Sequence, residues 1–105
     1  MRILLDQGVP APLPRYFSKP EVIVAAELGW SRVTNGQLLD AAEQEFNLLV
    51  TTDQGLRYQQ NLAGRKLSIL ILPSTSWPKL EPNHANIMAA AESIATGAYV
   101  ELQLG

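Results

Sequence analysis

Two short runs, Ile3-Leu4-Leu5 and Leu48-Leu49-Val50, are apolar at every position, and each leads into an aspartate: Asp6 directly, Asp53 after Thr51 and Thr52. A strand with one wet face alternates apolar and polar residues. A run without alternation must be covered on both faces, as in a parallel sheet sandwiched between helices. An acid at the carboxyl end of such a strand stands on the edge where open α/β sheets bind ligands. Two acids so placed predict a shared acidic site suited to a divalent metal and a phosphate-bearing substrate.

The remaining elements follow from periodicity and punctuation. The first strand spans roughly Arg2 to Asp6. Val9 to Phe17 carries Pro10, Pro12 and Pro14, which predicts a short or irregular helix. Glu21 to Ala26 is rich in β-branched residues and predicts a strand; Gly29 to Ser31 predicts a loop. Thr34 or Asn35 can cap a helix whose apolar face is Leu38, Leu39, Ala42 and Phe46. Leu48 to Thr52 is the third strand. Leu56 to Leu62 is a polar turn or short helix, and Leu67 to Leu72 is the fourth strand. Pro73 to Pro82 is expected as a loop. Asn83 to Ala95 is a helix with Ile87, Met88, Ala91, Ile94 and Ala95 inward, and Tyr99 to Leu104 alternates as an edge strand. Strands interleaved with helical segments imply right-handed crossovers and a single α/β domain over residues 1–105. Its mostly parallel sheet has four to five strands flanked by helices.

Composition narrows the chemistry. The chain has 105 residues and no cysteine, so disulfides and thiolate metal sites are excluded, and its single histidine, His84, rules out a histidine-rich centre. A metal here takes oxygen ligands, which favours Mg²⁺ or Mn²⁺. A formal net charge of −2 provides no global basic field for nucleic acid, so such binding needs a local patch. Arg57, Arg65 and Lys66 are the one basic cluster in sequence, and Gln59, Gln60 and Asn61 lie between them. No apolar stretch reaches membrane-spanning length and no signal-peptide layout opens the chain, so no membrane and a cytoplasmic location are expected.

The opening ILLDQGVP resembles the "ILLDENLP" start of small bacterial PIN-like proteins, a group of unknown function related to VapC-type toxin ribonucleases. The stretch NGQLLDAAEQEFNLLVTTDQGL is similar to that group's helix followed by a "vLvT-D" strand. YQQNL and the ILIL strand also fit. The resemblance extends over nearly the whole chain. It implies a PIN-like fold with a cluster of acids at the strand ends, holding Mg²⁺ or Mn²⁺ for hydrolysis of RNA or other phosphodiesters. It also implies a toxin–antitoxin setting with an antitoxin-like protein as partner, and a homodimer. By position, Asp6 and Asp53 correspond to metal-binding catalytic acids and Asn35 to a third, middle acid. Thr52, Arg57 and Gln59 are the candidate substrate contacts.

At three places where the family pattern has or allows an acid, this chain has an amide: Gln7, Asn35 and Gln37. An amide offers a carbonyl oxygen without charge. Two carboxylates bind Mg²⁺ weakly and lean on water and substrate phosphates, so a two-metal site is not expected. Asp40 and Glu43, on the same helix as Asn35, are read chiefly as a solvated face. Two functions stay open on these residues: a metal-dependent nuclease, and a degenerate module that keeps the fold and binds RNA or a protein without cutting. A phosphoacceptor receiver domain ranks below both, because it needs an acid pair where Asp6-Gln7 stands and a lysine beyond the fifth strand, and none follows Lys79.

Overall fold

The computed structural model describes residues 1–17, 21–30, 35–56 and 64–103. Five strands, β1 (Arg2–Leu5), β2 (Glu21–Val24), β3 (Leu48–Thr51), β4 (Ser68–Ile71) and β5 (Tyr99–Glu101), form one sheet in the order β2-β1-β3-β4-β5. Every pairing is parallel, with Leu4 opposite Ile23 on one side and Leu49 on the other. The order reverses between β1 and β3, which is the switch point of a doubly wound sheet.

The apolar runs behave as their composition demands. All of Leu48–Thr51 and of Ser68–Ile71 are buried. Side chains alternate between two cores. Ile3, Leu5, Leu48, Val50, Leu70 and Leu72 face the first. Leu4, Leu49, Ile69 and Ile71 face the second. Helix α1 (Asn35–Glu45) covers the second core with Leu38, Leu39 and Ala42, and Phe46 packs just beyond its end. Trp30 closes that core's rim edge-on to Phe46, with ring centroids 6.3 Å apart.

The first core is covered differently. The proline-rich segment after β1 supplies a single 3-10 turn, Leu13–Tyr16, too short to roof the sheet. The roof comes from the far end of the chain. Between Pro73 and Pro82, where a loop is expected, the chain forms a helical turn, α2 (Trp77–Leu80), and a further 3-10 turn, Glu81–Asn83. Pro78 and Pro82 sit in the first turns of these segments, where a missing N–H costs no bond. Helix α3 (His84–Ser93) follows and buries Ile87 and Ala91 against Ile3, Leu5, Val50 and Leu70. Ala95, expected inward, lies past the helix end and is exposed. His84 is half-buried with its ring 4.5 Å from that of Tyr16.

This substitution of roofs changes the handedness of the fold. The β1–β2 connection moves outward over the first face, and β2–β3 moves back over the second, so both have one hand. The β4–β5 connection moves in the same direction as β2–β3 but over the first face, which gives it the opposite hand. Uniform right-handed crossovers, expected from the strand-helix alternation, therefore do not hold throughout. The bare first face left by the short 3-10 turn is what α3 occupies. β2 also ends sooner than expected, at Val24, because Ala25–Leu28 turns into a 3-10 segment closed by Gly29 at φ 74°.

Candidate functional site

Parallel pairing of β1 with β3 sets Leu5 beside Val50, and the ladder continues one step as the Asp6 amide donates to the Val50 carbonyl at 2.9 Å. Asp6 and Thr51 are thereby brought side by side at the carboxyl edge. The Thr51 hydroxyl donates to Asp6 Oδ2 at 2.8 Å, and Thr51 Oγ1 in turn accepts from the Asp53 amide at 3.2 Å. Thr51 is 1% exposed. One buried hydroxyl thus ties both acids together, through the carboxylate of the first and the backbone of the second.

Each acid also opens a turn. The Val9 amide donates to the Asp6 carbonyl and the Leu56 amide to the Asp53 carbonyl. Each side chain accepts from the backbone beyond it: Asp6 Oδ1 from the Gln7 amide at 2.8 Å, Asp53 Oδ1 from the Gly55 amide at 3.0 Å. Aspartate at the first position of a turn is common for this reason. These bonds leave acceptor capacity, since an ionised carboxylate has about four lone-pair positions. Both acids are half-buried. Gln54 completes the floor by donating its side-chain amide to the Leu72 carbonyl at 2.5 Å, tying the loop after β3 to the end of β4.

The donor set suits a hard divalent cation: two carboxylates, a hydroxyl nearby and carbonyl oxygens, with no sulfur. It is a small set. Among the described residues no three of His, Asp and Glu gather closely enough to hold a metal. Asp40 and Glu43 do not supply the missing charge. Asp40 Oδ1 accepts from Arg65 Nη2 at 2.9 Å; Glu43 Oε1 lies 3.9 Å from Arg65 Nη1 and accepts the Lys66 amide at 3.1 Å. Arg65 and Lys66 immediately precede β4, so they stand toward the amino edge of the sheet, away from the acids. They therefore form no phosphate-binding rim above Asp6 and Asp53.

Of the remaining site candidates, Thr52 is half-buried, and its hydroxyl stands against the backbone of Gly8. Gln7 is exposed beside Asp6, and Gln37 is exposed in the first turn of α1. Asn35 opens α1, but its side chain, together with Arg57 and Gln59, lies outside the described residues. Thr51 is the residue the sequence reading undervalued against Thr52. The signal was present in strand alternation, which sends adjacent hydroxyls to different sides, but choosing between them requires the β1–β3 register.

Fold and site together define an open, all-parallel α/β domain with a hydroxyl-linked pair of acids at its switch point. No protein-family model, curated protein or solved structure matches the chain. No helix among the described residues is long and apolar enough to cross a membrane.

Proposed function

We propose that this domain is a metal-dependent PIN-like nuclease that hydrolyses phosphodiesters, with RNA as the substrate class. The observation that supports this reading best is the Asp6–Thr51–Asp53 linkage, which holds two acids together at the ligand-binding edge of the sheet. Asp6 and Asp53 would hold one Mg²⁺ or Mn²⁺ in company with water and substrate phosphate. The cation supplies charge neutralisation at the phosphate and a more acidic bound water. Thr51 fixes the orientation of Asp6 through Oδ2, and the turn amides of Gln7 and Gly55 hold Asp6 Oδ1 and Asp53 Oδ1 in place. The resemblance adds a cytoplasmic toxin role, an antitoxin-like partner and a homodimer to this proposal.

A second reading has its own support. With Asp40 and Glu43 bound to Arg65, Asp6 and Asp53 are the pair of acids that the Thr51 hydroxyl brings together, and a module that keeps the fold and binds RNA or a protein without cleavage is consistent with so small a set. Calorimetric titration of Mn²⁺ into wild type and Asp53→Asn, followed by incubation with single-stranded RNA, separates the two. The nuclease reading expects Mn²⁺ binding and cleavage in wild type and neither in the variant. Cleavage that persists in Asp53→Asn sinks it, and a wild type that binds no Mn²⁺ at millimolar concentration, with or without a nucleotide, leaves the non-cutting module.

A further inference from the structure

Besides the Thr51 linkage, the loops after β1 and β3 approach each other at Gly8 and Thr52. A Cβ built on Gly8 would lie 2.5 Å from Thr52 Oγ1 and 3.9 Å from Thr52 Cβ. The first distance is far inside van der Waals contact. Gly8 has no positive φ, so the backbone conformation does not call for glycine there. What calls for it is the hydroxyl of Thr52. The threonine has limited means of escape, because its β-branched side chain has few χ1 wells and its neighbours on both sides are fixed. Thr51 is pinned by Asp6, and Asp53 by its own turn.

From this contact we propose that Gly8 is a positioning residue for the acidic site. Its lack of a side chain sets how closely the Asp53 loop lies against the Asp6 loop, and so sets the separation of the two carboxylates. Thr51 fixes the strand ends, and Gly8 fixes the loops above them. A side chain at position 8 pushes Thr52 away from β1. The Thr52–Asp53 peptide turns with it, and Asp53 moves relative to Asp6 while the strands below stay in register. The consequence for metal affinity rests on the proposed function; the geometric consequence does not.

The test uses Gly8→Ala, Thr52→Ala and the double variant, with Mn²⁺ as the titrant and backbone amide chemical shifts as a second readout. Gly8→Ala is expected to weaken Mn²⁺ binding at least about fivefold. The double variant is expected to bind within about twofold of Thr52→Ala alone, because the obstructing hydroxyl is gone, which is the non-additivity of two groups in contact. The Gln7 and Gly55 amides, which bond to the two carboxylates, are expected to shift in Gly8→Ala and to match the Thr52→Ala spectrum in the double variant. An equal loss of affinity from Gly8→Ala in both backgrounds overturns the proposal, as does no loss in either. If wild type binds no Mn²⁺, the metal reading fails by itself. The amide shifts then decide the positioning role, and unmoved Gln7 and Gly55 signals in Gly8→Ala refute it.

Discussion

The amino edge of the sheet holds Asp40 and the carboxyl edge holds Asp6 in opposite ways. Toward the amino edge, acids meet guanidinium groups: Asp40 and Glu43 face Arg65 at 2.9 and 3.9 Å, and Glu21 faces Arg2 Nε at 3.3 Å. Arg2 also donates to the Glu45 carbonyl at the end of α1 and lies over the Phe46 ring. These charges are cancelled where they stand, and they fasten α1 to β1 and to the segment before β4. At the carboxyl edge Asp6 is held by two neutral donors, the Thr51 hydroxyl and the Gln7 amide, and makes no ion pair with a described residue. Neutral donors fix a carboxylate without cancelling its charge. The first arrangement serves the fold; the second leaves negative charge at the place where a cation is the natural counterpart.

If the edges are specialised in this way, damage to the amino edge should reach stability and spare metal binding. Gly97 gives the largest such effect. It has φ 76°, and a Cβ there would lie 2.9 Å from the Arg65 carbonyl oxygen. Gly97→Ala is expected to lose about 2 kcal/mol or more, from left-handed backbone strain plus the clash. Urea unfolding measures the loss. Mn²⁺ affinity of the folded variant should stay at the wild-type value, and a drop in affinity would break the division between edges.

The contrast was only partly legible in the sequence. Leu48-Leu49-Val50 announced a doubly covered strand because no polar residue interrupts it, and Asp6 and Asp53 were placed at strand ends by counting. The pairing of Arg65 with Asp40 was not legible, because it links residues 25 positions apart across a crossover. Nor was α2, since the prolines of that stretch read as breakers until their first-turn positions are known. The hand of the last crossover was hidden for a similar reason. It depends on which face the 3-10 turn leaves bare, a property of the assembled sheet and of no single segment.

A smaller effect tests the carboxyl edge. Thr51→Val keeps shape and burial but removes the hydroxyl, leaving Asp6 Oδ2 without that donor and the Asp53 amide without that acceptor. The expected cost is about 1–2 kcal/mol in urea unfolding. Unlike Gly97→Ala, this variant should also weaken Mn²⁺ binding, because Asp6 loses the contact that orients it. Unchanged affinity in Thr51→Val would mean that the hydroxyl serves the turn alone.

The smallest effect is expected where the interaction looks strongest. Arg65 bears two ion pairs, yet the Asp40 side chain is 75% exposed, so water screens that pair, and Arg65 Nε is buried without a hydrogen-bond partner. Arg65→Met removes the pairs and also removes the cost of the unpaired Nε, while keeping an aliphatic side chain at the position. Stability should change by less than about 1 kcal/mol, and the difference from wild type should shrink further in high salt. Mn²⁺ affinity should not move. One uncharged hydroxyl at Thr51 would then matter more than a guanidinium with two acidic partners, because the hydroxyl is buried with both of its bonds made and the guanidinium is neither fully buried nor fully bonded. A larger cost for Arg65→Met than for Thr51→Val would reverse that ranking and make the amino-edge ion pairs the stronger fastening of the fold.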